Sequence, residues 1–105
     1  MKQEISRLKA EFFKTLGHPL RIRTLELLSE GERSVSALRE ETGAEQSHLS
    51  QQLGVLRRAG LVETRRDGSS VIYRIADERV EELLAIAREM MLDILKNSQS
   101  ELQPA

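Results

Sequence analysis

The sequence predicts a mostly α-helical domain that carries one small β-hairpin, an α+β arrangement. Three observations lead there. Apolar residues recur at spacings of three and four through most of the chain, the period of amphipathic helices. That pattern gives way once, to two short β-type stretches at 61–66 and 70–75 around the turn signal Asp67-Gly68. Finally, the helical segment 46–59 stops at Gly60 immediately before this hairpin. A polar-faced helix running straight into an arginine-bearing hairpin is the layout of a winged helix-turn-helix.

Taken in order, Ile5, Leu8, Phe12, Phe13 and Leu16 have helical spacing, so residues 4–16 form a first amphipathic helix. Gly17-His18 stops it, and Pro19 suits the first turn of the next helix. Leu20, Ile22, Leu25, Leu27 and Leu28 make that second helix strongly apolar and central to the core, ending near Glu30-Gly31. Ser34 or Ser36 caps a short third helix, with Ala37 and Leu38 inward and Gly43 at its end. Only a few residues then separate it from the helix at 46–59, the compact spacing of a helix-turn-helix.

In that helix Leu49, Leu53 and Leu56 form the apolar stripe. Gln46, Ser47, His48, Ser50 and Gln51 supply hydrogen-bonding side chains with no acid among them. Amides suit adenine edges and hydroxyls adapt to several bases, so this face can read a major groove. Gly54 costs roughly 1 kcal/mol relative to alanine in a helix interior. It marks either a close approach or a tolerated defect. After the hairpin, Asp77 caps a last helix through about Lys96, with Val80, Leu83, Leu84, Ala87, Met91, Ile94 and Leu95 in one stripe and Ile86, Met90 and Leu92 widening it. So long a helix overhangs so small a core, and its apolar surface needs a second partner. A two-fold copy of the chain is the economical one. The interface expected on this helix is Val80, Leu84, Ala87, Met91, Ile94 and Leu95.

With 105 residues the chain is one domain, expected at 1–97, followed by a polar, flexible tail at 98–105. Zero cysteines exclude a disulfide framework, a thiolate metal site and a thiol redox switch. No run approaches the roughly 18 apolar residues of a membrane span, and the N-terminus lacks a signal-peptide core, so cytoplasm is the default. Net charge is −1, but its distribution is uneven. Residues 46–76 hold Arg57, Arg58, Arg65, Arg66 and Arg74 against Glu63 and Asp67, while 77–105 is acidic. The positive field therefore sits on the segment suited to DNA.

Several motifs resemble those of the arsenic- and metal-responsive repressor family, the ArsR/SmtB type. Leu16-Gly17-His18-Pro19-Leu20-Arg21-Ile22 looks like the family's opening, and 48–62, HLSQQLGVLRRAGLV, looks like its recognition helix and exit. Arg65-Arg66-Asp67-Gly68 and Val71-Ile72-Tyr73 resemble its wing. The resemblance runs from about residue 8 to 96. It implies a homodimeric winged-helix transcriptional regulator, usually a repressor, joined through its first and last helices, with Leu8 and Phe12 the interface residues expected on the first, and bound to double-stranded DNA at a palindromic operator. It also implies that helix 46–59 enters the major groove while Arg65 and Arg66 approach the flanking minor groove or phosphates, in a wing at 61–76. Arg74 is a further candidate. Where relatives sensing thiophilic metals carry two cysteines, this chain has Ser34 and Ser36, poor ligands for soft metals. Where many relatives have histidine before Leu53, it has Gln52. The last helix offers Glu89 and Asp93 but no histidine.

No cofactor and no metal site is expected, and an organic effector is left open. His18 is expected to make a structural hydrogen bond, and His48 to lie on a different surface from it. No cysteine nucleophile, glycine-rich phosphate loop or close His–carboxylate pair supports an enzyme. The rival reading is a winged-helix module that binds protein instead of DNA, against which the basic wing argues.

Overall fold

The computed structural model describes residues 1–102, with side-chain surroundings as far as residue 98. Five helices and three short strands follow one another: α1 Lys2–Leu16, α2 Pro19–Glu30, β1 Arg33–Ser34, α3 Val35–Thr42, α4 Gln46–Arg58, β2 Val62–Asp67, β3 Ser70–Ile75 and α5 Arg79–Leu102.

Local chemistry sets most of these boundaries. The His18 backbone is extended and its Nδ1 accepts the Leu20 N–H at 3.2 Å, so His18 caps α2 with Pro19 in the first turn. Ser34 Oγ accepts the Ala37 N–H at 3.1 Å, which settles the choice between the two serines, and Gly43 closes α3 in the left-handed region. Helix α4 ends in a Schellman motif. There the Leu61 N–H reaches the Leu56 carbonyl at 3.0 Å, the Gly60 N–H reaches the Arg57 carbonyl at 3.0 Å, and Gly60 has φ of 78°. Asp77 Oδ1 accepts the Arg79 N–H at 2.9 Å at the start of α5. Hydrogen bonds from the Arg79 side chain and then from its N–H pull the Asp77 carboxyl down to about 2. The stabilisation this gives is complete above the ordinary aspartate value and is lost as pH falls towards 2.

Four features differ from expectation. The sheet has three strands in the order β1-β3-β2, because Arg33 and Ser34 pair antiparallel with Tyr73 and Ile72. The hairpin loop is Gly68-Ser69, one residue later than Asp67-Gly68, since Asp67 pairs with Ser70. Gly68 has φ of 63° and, among the described residues, no non-glycine residue has positive φ, the sign pattern of a II′ turn. Helix α5 runs on to Leu102, six residues past Lys96, so the tail expected at 98–105 is helical as far as 102. Residues 103–105 lie outside the described residues. Val80, expected at a subunit interface, is 5% exposed inside this chain's own core. The first turn of α5 packs there because its chain has just left the sheet.

The core gathers Leu25, Leu27 and Leu28 of α2, Leu38 of α3, Leu49, Leu53 and Leu56 of α4, and Leu16, Leu61, Val62 and Val80 around them. Phe12, Leu83 and Leu84 pack partly against it. One buried polar side chain lies within α4: Gln52, 6% exposed, whose Oε1 accepts the Arg21 Nε–H at 2.7 Å. Arg21 Nη1 also donates to the Thr15 carbonyl at 3.1 Å. A single guanidinium thus ties the end of α1 and the middle of α4 to α2.

Gln52→Ala should therefore destabilise the fold by about 1–3 kcal/mol, because it leaves a half-buried donor without its acceptor. Urea denaturation of Gln52→Ala, Arg21→Ala and the double variant checks it. Additive losses in that cycle would show that the two side chains do not act together.

Candidate nucleic-acid interface

With one side of α4 committed to the core, its other side is free. Leu49 and Leu56 are 0% exposed and Leu53 is 1%. Gln46, Ser47, His48, Ser50 and Gln51 are all exposed, as the spacing of those leucines requires. Two of the five already have polar partners. Gln46 Oε1 accepts from Arg39 Nη1 at 3.2 Å, and Ser47 Oγ donates to Glu45 Oε1 at 3.0 Å. An open concavity of about 1060 Å³ lies between α3 and α4, lined by Ser36, Arg39, Glu40, Glu45, Gln46, Ser47 and Ser50. Arg39 was not singled out in the sequence, and Ser36 only as a candidate helix cap and as the counterpart of a relative's cysteine. The available signal was general: the helix before a recognition helix crosses the nucleic-acid backbone.

The two histidines are neighbours, with ring centroids 5.8 Å apart, which corrects the expectation that they lie on different surfaces. The α2 cap beside α4 brings them together. His18 Nδ1 is occupied by the Leu20 N–H. Among the described residues no group of three histidines, aspartates and glutamates could hold a metal ion.

The hairpin treats its arginines differently. Strand alternation puts Glu63, Arg65 and Asp67 on one face of β2 and Arg66 on the other. Arg65 Nη2 lies 2.8 Å from Glu32 Oε2, just ahead of β1. That hydrogen bond lowers the Glu32 carboxyl from its ordinary value and raises the Arg65 guanidinium. Arg74 and Glu63 are register partners across β2 and β3, and their charged groups lie 2.6 Å apart. Among the described residues Arg57, Arg58 and Arg66 enter no ion pair. Arg58 folds back over its own helix: a Cβ built on Gly54 would lie 3.2 Å from Arg58 Nη1. What comes close to Gly54 is therefore the end of a flexible side chain, not a neighbouring helix.

Helices α1 and α5 also expose large apolar side chains. Ile5 is half accessible and Leu8 and Phe13 more than half, with Met90, Met91, Ile94 and Leu95 of α5 as open as the latter two. Ala87 is exposed beside them, whereas Phe12 and Leu84 are half-buried against the core. No helix among the described residues is long and apolar enough to cross a membrane.

Comparison with known proteins agrees with this geometry. A family model described as "Bacterial regulatory protein, arsR family" matches residues 18–64. The chain is 56% identical over 96 residues to the HTH-type transcriptional regulator Rv0081 of Mycobacterium tuberculosis, covering 90% of this chain and 84% of that protein. The crystal structure of Rv0081 superposes with a TM-score of 0.85 at 57% identity, covering 90% of this chain and 95% of that one. The biofilm growth-associated repressor of Xylella fastidiosa is 45% identical over 75 residues, which is 71% of this chain and 66% of the repressor. The homodimeric winged helix-turn-helix DNA-binding domain of Mb0332 from Mycobacterium bovis, solved in solution, gives a TM-score of 0.81 at 35% identity, covering 91% of this chain and 89% of that one.

The two wing arginines should separate in a salt titration. Arg66→Ala flattens the dependence of log affinity on log salt by about two units for a dimer that loses two phosphate contacts. Arg65→Ala flattens it less, because Glu32 already neutralises that charge, and Glu32→Gln tightens binding to every sequence. Fluorescence anisotropy of a duplex at graded salt measures all three. Equal flattening by the two arginine variants would show that Glu32 does not restrain Arg65.

Proposed function

The chain belongs to the bacterial ArsR family of regulatory proteins and is a DNA-binding transcriptional regulator with a winged helix-turn-helix fold; from there we propose that it is a cytoplasmic homodimeric repressor of a pseudo-palindromic operator. The observation that carries this reading is the division of α4 into a buried leucine side and an exposed side of amides and hydroxyls. In a two-fold dimer, two such helices enter successive major grooves about 34 Å apart. Gln46, Ser47, His48, Ser50 and Gln51 then face base edges, while Arg66, with Arg65 and Arg74 when released from their carboxylates, meets phosphates. A module binding only protein would gain nothing from that polarity, and the relatives named above are transcriptional regulators.

The exposed apolar surfaces of α1 and α5 support the dimer. Contiguous apolar patches of this kind mark interaction sites, and one two-fold copy would cover both helices at once. On this reading Leu8, Ala87, Met91, Ile94 and Leu95 are shared between subunits, joined by Phe13 and Met90, and the partly exposed Phe12 and Leu84 sit at the edge.

The donor set does not fit the metals sensed by some members of such a family. There is no thiol, Ser34 is used as a helix cap, and Glu89 and Asp93 have no imidazole beside them on α5. An effector is therefore proposed to be organic. A half-enclosed cavity of about 420 Å³ suits one, lined by the apolar Phe12, Leu61, Val80 and Leu83 and by the charged Asp77 and Arg79.

Two measurements check these statements. Met91→Glu places two like charges on the shared surface, and should abolish both the dimer in analytical ultracentrifugation and tight binding to the full operator. A variant that stays dimeric moves the interface elsewhere, and equal wild-type affinity for half-site and full site removes the palindrome. Operator affinity should also change by less than about tenfold, or roughly 1.4 kcal/mol, on adding micromolar zinc, nickel, copper or arsenite. A larger shift reversed by a chelator would reveal a site that the donor set does not suggest.

A further inference from the structure

We propose that Arg39, on α3 and outside the recognition helix, decides which base edge Gln46 reads; the inference rests on α4 lying in the major groove. A glutamine amide normally pairs with adenine through two bonds, its carbonyl accepting from N6–H and its amino group donating to N7. Here the carbonyl is engaged in advance. Arg39 Nη1 donates to Gln46 Oε1 at 3.2 Å. A guanidinium carries donors only, so the carbonyl faces it and the NH₂ group is turned outward.

Gln46 then meets DNA chiefly as a donor. Acceptor edges, guanine O6 and N7 or thymine O4, satisfy a donor, whereas adenine's distinguishing N6–H must share the carbonyl with a charged donor that already holds one of its two lone pairs. The next residue carries the opposite polarity. Ser47 Oγ gives its proton to Glu45 Oε1 at 3.0 Å, which leaves its lone pairs for an exocyclic amine of cytosine or adenine. Neighbours outside the reading face therefore fix the first residue of α4 as a donor and the second as an acceptor. Because Arg39 and Gln46 are both exposed, neither is needed to hold the core together. Arg39 acts through Gln46 and is a positioning residue.

The rival role is a phosphate contact, for which Arg39 has further donors free. The experiment separates the two. Wild-type protein, Arg39→Ala, Arg39→Lys, Gln46→Ala and the Arg39→Ala/Gln46→Ala double variant each select from duplexes randomised across the half-site, and salt-graded anisotropy follows each variant. The position read by Gln46 is the one whose preference disappears in Gln46→Ala. There the wild type should favour guanine or thymine over adenine by at least about fivefold, the low end for one specific base contact. Arg39→Ala should bring adenine to within about twofold, Arg39→Lys should keep the wild-type preference because an ammonium donates to the same carbonyl, and the double variant should match Gln46→Ala.

An unchanged preference in Arg39→Ala overturns the inference: with a shallower salt slope Arg39 is a phosphate contact, and with an unchanged slope it is a solvated bystander. Loss of all binding at low salt also overturns it, since setting polarity changes which site is chosen and not whether DNA is held. A wild-type protein that selects no sequence would instead sink the placement of α4 in the groove.

Discussion

Three leucines on one side of α4 are shut away from water, and the exposed surface of the domain is arranged around that burial. Each is worth roughly 1.5–3 kcal/mol relative to exposure, enough to fix the rotation of the helix about its axis. Turning α4 by one residue, about 100°, would bring polar side chains into the core and leucines into solvent. Orientation of the five polar side chains on the outer face is thus set by what lies behind them. Gln52 sharpens this. An amide buried among leucines would cost stability unless bonded, and its partner, Arg21, also holds the Thr15 carbonyl. The bond gives α4 one favoured depth against α2 and transmits that depth to the end of α1.

Charge on the outer surface is managed locally rather than through the total. A chain of net charge −1 would be a poor polyanion ligand if its charges were mixed at random. Here Glu32 holds Arg65, and Glu63 holds Arg74, in pairs that remain exposed. Such exposed pairs are weak, screened by water and salt, so a phosphate can displace the carboxylate at small cost. In the absence of DNA they quench the two arginines and restrain non-specific attraction. Alternation along β2 is what separates Arg65 from Arg66, and two adjacent arginines that look equivalent in sequence have different electrostatic surroundings as a result.

Much of the fold was legible in sequence because it is written in short-range signals. The glycines that end α3 and α4, the serine and aspartate caps, Pro19 and the leucine periods each act within one helical turn. The exposed face of α4 followed from its buried one. What was not legible depends on long-range pairing. Strand β1 is two residues long and has no alternation to detect; it exists only because Tyr73 and Ile72 present an open edge. The His18–His48 contact joins residues whose separation in sequence says nothing of their distance. The hairpin turn moved by one residue because Gly68 serves equally as the second residue of one loop or the first of the next. Burial of Gln52 was hidden because glutamine normally reads as surface, and Arg39 because its significance comes from a bond to the next helix.

Helix α5 shows how these local devices combine into a requirement at larger scale. Its root is fixed: the Ala76 N–H bonds the Leu61 carbonyl at 3.0 Å, Asp77 caps the first turn, and Val80 fills the same core as Leu61. Beyond Leu84 the helix leaves the core, and Ile86, Met90, Met91, Leu92, Ile94 and Leu95 are all exposed. The root therefore shares contacts with the exit of α4, while the projecting arm offers the apolar surface. A helix is stiff over this length, so a second copy seated on the arm would set the distance and angle between two α4 helices without touching either of them. Ligands act on such an arrangement only through a difference in affinity between its conformations. The cavity beside Phe12, Leu61 and Val80 lies where the arm's root meets the exit of the recognition helix. In the proposed dimer, occupancy there would alter the angle between the two α4 helices, and a small change at the root would be magnified where those helices are proposed to meet DNA.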